Sequence, residues 1–241
     1  LKQAVANGYM KSNPTENCVL PRIEKKELMP LDDEETKLFL KAIKGHRFEL
    51  LFTVTLFTGL REGEALGLTW DRIDFKRGSI LINRQLQKEK KAGGEFRLVS
   101  LKNDRPRRIT PAPWVMQLLK DRKLQQYEHM ERAGEDWSNP LNLVFTNELG
   151  GNLIPQTVVR HFKEIVTSIG RPDARFHDLR HSYAVASIRS GDDIKTVQGN
   201  LGHATAAFTL DVYGHVTDQM REASSMRMQA YIQDIMDQVH Q

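Results

Sequence analysis

The sequence predicts a mainly α-helical fold with one small antiparallel β-sheet, an α+β architecture. Apolar residues recur at helical spacing through most of its 241 positions. Three short segments rich in strand-forming residues lie close together between residues 79 and 110. Punctuation agrees with both: Pro113 and Pro155 open helical runs, and Gly59, Gly170 and Gly191 close them.

Taken in order, Leu1, Val5, Ala6 and Tyr9 read as the tail of a helix that stops before Pro14, since proline disfavours helix at the preceding residue. Residues 1–16 are expected to end a truncated upstream domain, and 17–29 form a polar linker without periodicity. The main domain, 30–241, begins at a helix capped by Asp32 or Asp33 and running to about Ile43. An apolar helix follows over Phe48–Phe57 and ends at Thr58-Gly59; another covers Leu60–Leu66. Strands are expected at 79–82, 96–100 and 107–110, the last two joined by a turn at Lys102-Asn103-Asp104-Arg105. Helices then cover 113–133, 155–169, 177–189, 193–198, 205–213 and 217–239. The last carries Met228, Ile232, Ile235, Met236 and Val239 on one face.

Bulk properties bound the function only loosely. Lys and Arg number 35 against 31 Asp and Glu, a formal charge of +4, which leans towards an anionic partner. Cys18 is the single cysteine, so no intrachain disulfide or cysteine zinc site forms, in keeping with a reducing compartment. No apolar run is long enough to span a bilayer.

The chemistry is concentrated late in the chain. His177 and Arg180 lie three apart at a helix start, where the helix dipole favours an anion. In isolation, a capped helix with two solvent-facing cations is by far the commoner explanation of such a pair. His177 and His181 also have the spacing of a zinc-protease pair, but Asp178 stands where a catalytic Glu belongs and Arg180 would place a cation beside the metal. Arg61 opens a helix after Gly59. With Arg180 it would clamp two phosphate oxygens and neutralise charge growing on phosphorus. A surface pairing with Glu62 or Glu64 is the competing explanation, and Glu64 is also a candidate for orienting the site. Lys102, in the strand turn, is a candidate acid for a leaving oxygen, with Lys88, Lys90 and Lys91 as nearby alternatives. Arg105, Arg107 and Arg108 make the hairpin basic, which suits DNA backbone contacts and equally a charged edge that resists aggregation. His203 follows Leu201-Gly202, and Tyr213 comes ten residues later. A phenol of pKa about 10 is a poor nucleophile unless a cationic pocket or a base activates it. Two arginines and two histidines converging on Tyr213 would supply that pocket.

The ordered blocks Thr58-Gly59-Leu60-Arg61-Glu62-Gly63-Glu64-Ala65-Leu66, the Lys102 hairpin, His177-Asp178-Leu179-Arg180-His181-Ser182, Leu201-Gly202-His203 and Tyr213-Gly214-His215 resemble those of the tyrosine recombinases, the integrases of phages and conjugative transposons. The resemblance implies that Tyr213 attacks the scissile phosphate to form a 3′-phosphotyrosyl bond. It implies that Arg61 and Arg180 bind phosphate oxygens, that His177 and His203 hydrogen-bond and move protons, and that Lys102 protonates the 5′ oxygen. No metal and no other cofactor is implied. The partners implied are double-stranded DNA attachment sites and three further copies of the chain, a homotetramer on DNA and a monomer without it. An excisionase or a host DNA-bending factor is a candidate accessory partner. The resemblance further implies that residues 1–16 end a core-binding domain, that helix 217–239 docks on a neighbouring protomer or on its own domain, and that the protein works at the nucleoid in the cytoplasm of a bacterial or phage-infected cell, away from membranes. A DNA-relaxing topoisomerase of the type IB kind and a catalytically silent DNA-binding module are the alternatives.

Overall fold

Four phenylalanines set where the helices meet. A computed structural model of the chain describes residues 1–18, 29–89, 94–101, 106–202 and 217–239. Phe39 on α2 (Asp33–Ala42), Phe52 on α3 (Glu49–Thr58), Phe162 on α6 (Pro155–Ser168) and Phe176, just before α7 (Asp178–Arg189), stack in tilted and edge-to-face pairs. Their centroids lie 5.6 to 6.1 Å apart, the range such quadrupolar rings prefer. A short helix, α1 (Lys2–Ala6), precedes these elements and stops short of Tyr9, which the expected helical run included.

Local chemistry explains the boundaries. Asp32 caps α2 through a reciprocal box: its carboxylate accepts from the Glu35 N–H at 2.8 Å, and Glu35 accepts from the Asp32 N–H at 3.0 Å. Helix α3 is buried on nearly every side, so its apolar residues show no stripe. It ends at Gly59 in the left-handed region, φ +64°. The short α4 (Glu62–Leu66) follows and ends at Gly67 against strand β3 (Arg84–Lys88). A Cβ on Gly67 would stand 2.4 Å from the Leu86 nitrogen, so close backbone approach requires this glycine.

The strands differ from expectation. Strand β2 (Ser79–Ile82) pairs with β1 (Ile73–Asp74) on one side and β5 (Arg107–Ile109) on the other, all antiparallel. Strand β4 (Phe96–Ser100) pairs instead with β3, in register Leu86 to Leu98. Among the described residues two small sheets therefore replace the single expected one, and the strands at 96–100 and 107–109 each pair with a different partner. Strand β3 reads Arg-Gln-Leu-Gln-Lys and buries only Leu86. It carries little strand propensity and takes its conformation from its partner. The turn expected at 102–105 lies outside the described residues.

Helix α5 (Pro113–Ala133) and α6 flank the helical core, and α8 (Ile194–Leu201) packs on α7 through Ala184, Ile188, Val197 and Leu201. The eighth helix runs three residues beyond the expected end at 198. The last described helix, α9 (Thr217–Val239), leaves Met228, Ile232, Ile235 and Met236 exposed. The helix expected at 205–213 lies outside the described residues. Among the described residues no helix is long and apolar enough to cross a membrane.

The aromatic quartet carries a stability prediction. Phe162 is 1% exposed, whereas Val159 on the same helix is 38% exposed. Phe162→Ala should lower the unfolding free energy by about 3–5 kcal/mol. Val159→Ala should stay within about 0.5 kcal/mol of wild type. Urea denaturation of both variants checks the contrast; similar losses would mean that the quartet is not the packing centre.

Candidate active site

The first block of the site is built on a glycine. At Gly59 the chain turns from α3 towards Arg61, and the space where a Cβ would stand is filled by the Tyr183 ring at 2.5 Å and Leu201 Cδ2 at 2.8 Å. Both the positive φ and the packing therefore demand glycine. Leu60 anchors the turn in the core, and Arg61 takes the N-cap position of α4 in extended conformation. Its side chain keeps 29% of its surface accessible.

Glu64, one turn into α4, is 1% exposed and is the electrostatic centre of this block. One carboxylate oxygen accepts from the Arg61 backbone N–H at 2.9 Å and the other from Arg61 Nη1 at 3.1 Å. Arg107 meets the same two oxygens from β5 with a bidentate fork, at 2.9 and 2.7 Å. Burial acts to raise the Glu64 carboxyl, but the Arg107 fork and then Arg61 outweigh it and hold the carboxyl below its ordinary range.

Arg180 brings the second block to the first. It is 1% exposed, with Nη1 donating to the Gly59 carbonyl at 2.8 Å and Nη2 to the Leu201 carbonyl at 2.5 Å. One guanidinium therefore spans the end of α3 and the end of α8, where Gly202 adopts φ +68° and the next residue is His203. His177 sits at the start of α7. Burial, then the Arg180 and Arg61 guanidiniums, hold its imidazole below the usual histidine range. The residue as a whole stays exposed, so that desolvation is confined to its inner edge, which meets His181 edge-on at 4.9 Å.

The base of α7 is held independently. Asp178 is buried and accepts from the Arg175 N–H at 2.8 Å and from Arg175 Nη2 at 2.9 Å. Ser182 Oγ donates to the Asp178 carbonyl and accepts from the Leu31 N–H, both at 2.8 Å, which ties α7 to the start of α2.

The structure thus brings together Arg61, Glu64, His177 and Arg180. Lys102, Arg105, His203 and Tyr213 lie outside the described residues. Arg108 points outward and donates to Ser79 Oγ at 3.0 Å. Arg107 departs from expectation: it is buried, and its fork is taken up by Glu64 rather than presented on a basic surface. Strand alternation carries the signal for this, because Arg107 and Ile109 share one face and Arg108 the other. Ser182 and Tyr183, which sequence reasoning left without a role, brace the same helix. Among the described residues, no three His, Cys, Asp or Glu side chains are placed to hold a metal ion.

The imidazole of His181 gives the site a measurable acid response. Burial, then His177, lowers its pKa to about 4. The folded state therefore binds fewer protons than the unfolded state between about pH 6.5 and 4, so stability falls as pH drops through that window. His181→Asn should remove about 2–3 kcal/mol of that loss. Urea denaturation at pH 6.5 and 4.5 measures it, and an unchanged pH slope would place the ring in contact with water.

Comparison with known proteins fits this geometry. The description "Phage integrase family" matches residues 29–220. A tyrosine recombinase XerC-like protein of Caldanaerobacter subterraneus subsp. tengcongensis is 32% identical over 234 residues, covering 90% of this chain and 60% of that one. The ICEBs1 integrase of Bacillus subtilis is 29% identical over 217 residues, covering 88% and 57%. The chain therefore spans about 60% of the length of such relatives. A structure of the Tn1549 transposon integrase in complex with transposon right end DNA superimposes with a TM-score of 0.73 at 20% identity, covering 94% of this chain and 74% of that one; that likeness shows the fold. Family match, relatives and the Arg61 and His177–Arg180 blocks agree: the chain belongs to the phage integrase family, the tyrosine recombinases that its sequence resembles.

Proposed function

We propose that the chain is the DNA-cutting part of a site-specific recombinase that integrates or excises a mobile element. One observation carries this reading: Arg180 gathers the Arg61 turn and the end of α8 around a single point, with His177 at its rim. Two guanidiniums and an imidazole close together suit a phosphodiester, whose non-bridging oxygens gain charge as phosphorus becomes five-coordinate. The Tn1549 integrase and the other relatives named above support DNA as the partner.

In the proposed reaction the Tyr213 oxygen attacks phosphorus and the bond to the 5′ oxygen breaks. The phenolic proton passes to a neighbouring base, for which His177 and His203 are the candidates. Lys102 gives a proton to the departing 5′ oxygen. A 3′-phosphotyrosyl ester remains, and attack by a 5′ hydroxyl from the partner duplex reverses these steps and rejoins the strand. Each step exchanges one phosphoester for another, which keeps the bond energy for the rejoining. Arg61 and Arg180 hold the phosphate throughout, and the exposed Arg108 suits contact with the DNA backbone.

The proposal extends to organisation. Residues 1–16 end a core-binding domain, 17–29 link it, and 30–241 form the catalytic domain, which works as a homotetramer on two double-stranded sites in the bacterial cytoplasm. The exposed apolar residues of α9 support docking of that helix on a neighbouring protomer.

Incubation with a nicked attachment site should trap a covalent protein–DNA adduct, and Tyr213→Phe should abolish it. Arg61→Ala should slow adduct formation by about 10²–10³-fold. An adduct formed by the Phe variant would mean that another residue is the nucleophile. Joined product from two sites identifies strand exchange; relaxation of one supercoiled duplex without it would identify a topoisomerase.

A further inference from the structure

Arg107 belongs to none of the roles above. It is 8% exposed, and all three of its donor positions are engaged within the protein. Nη1 and Nη2 fork onto Glu64, and Nε donates to the Asn200 carbonyl at 2.7 Å. Asn200 lies in the last turn of α8, two residues before Gly202 and three before His203. A Cβ on Gly202 would meet the Arg107 side chain at 3.0 Å, so the turn that leads to His203 rests directly on it. Through Glu64 the same side chain reaches Arg61. Its own strand, β5, is the continuation of the segment that carries Lys102.

We propose that Arg107 is a positioning residue for DNA cleavage: it cancels the charge of Glu64, so that Glu64 can orient Arg61 without neutralising it, and it seats the Gly202 end of α8. The proposal rests on the reading of Arg61 as a phosphate ligand. Glu64 bonds both the backbone and the side chain of Arg61. With Arg61 as its sole counter-ion, that buried carboxylate would quench the positive charge meant for the phosphate. With Arg107 opposite, the Glu64–Arg107 pair sums to zero, and Arg61 and Arg180 together present two positive charges. A lysine cannot reproduce the arrangement, because the fork needs two parallel donors and the Asn200 carbonyl needs a third. Stability alone is a weak reason for such a pair, since well-packed apolar residues often replace buried ion pairs without loss.

The test uses the whole chain with four variants: Arg107→Met, Arg107→Lys, Glu64→Gln, and the double variant Arg107→Met with Glu64→Gln. Duplex binding is followed across a salt series, adduct formation is timed on the pre-bound nicked duplex, and urea unfolding is measured from pH 7 to 3. Arg107→Met should slow adduct formation on the pre-bound nicked duplex by about 10²-fold, beyond whatever loss of duplex binding the quenched Arg61 contact brings. Arg107→Lys should fall between Arg107→Met and wild type. The double variant should regain at least about tenfold over Arg107→Met, because the uncompensated carboxylate is gone. In the unfolding arm, the held-down Glu64 carboxyl contributes stability that is present above its unfolded pKa and lost as pH falls through its folded one. The deficit of Arg107→Met should therefore be largest at pH 7 and close on acidification, and the double variant should not show that closure.

A salt slope reduced by about 0.9 with unchanged cleavage of bound DNA would make Arg107 a phosphate contact and overturn the proposal. A double variant no faster than Arg107→Met would overturn the charge-compensation argument. If Arg107→Met does not fold, Arg107→Lys takes its place: slower adduct formation on the pre-bound duplex than wild type supports the proposal, and adduct formation at the wild-type rate overturns it. A wild type that forms no adduct would instead overturn the strand-transfer reading, an outcome distinct from both.

Discussion

A buried guanidinium organises this protein. Arg180 joins two carbonyls that belong to segments far apart in sequence, the end of α3 at Gly59 and the end of α8 at Leu201. Each is a helix C-terminus, where backbone carbonyls lack intrahelical partners and carry the negative end of the helix dipole. The arginine thus satisfies acceptors that would otherwise be desolvated, and in doing so fixes the turn that leads to Arg61 and the end of α8. The phenylalanine quartet holds α2, α3 and α6 as a platform, but it is the guanidinium on α7 that draws the Arg61 turn and the end of α8 together.

The same economy recurs one layer further out. Glu64 is shared between a backbone N–H and two guanidiniums, Ser182 between a carbonyl and the Leu31 N–H, and Gly59 between two side chains from different helices. Each buried polar group serves more than one element, so displacing one element leaves another with an unsatisfied partner. Groups linked this way move together or not at all.

Much of this was legible in the sequence, and the remainder was hidden for physical reasons. The helices at 33–42, 113–133 and 155–168 announce themselves through a cap, first-turn prolines and apolar positions, and 178–189 through the glycine that closes it. Arg61, Glu64, His177 and Arg180 were legible in the ordered set of blocks and not in any one of them, and the structure places them close together. The pairing of β3 with β4 was not, because Arg84–Lys88 holds its conformation through its partner and not through its own side chains. Arg107 was misread because a run of arginines near a turn looks like surface. Only the alternation Arg107 in, Arg108 out, Ile109 in separates the buried cation from the exposed one, and that pattern needs the strand's pairing before it has meaning.

That alternation has a consequence for how the protein matures. Strand β5 is three residues long and pairs Arg107 with Ile82 and Ile109 with Ile80. Side chains on a strand change face at every step, so a slip of one residue would turn Arg107 and Ile109 to solvent and drive Arg108 inward. Glu64 would lose its fork, and the sheet would lose its only buried isoleucine from that strand. The hydrophobic and the electrostatic errors would arise in the same event, so neither is tolerated alone. Sheet registration and the Glu64 pair are thereby set together: a chain that folds with its isoleucines inside has, by the same act, placed the countercharge of Glu64.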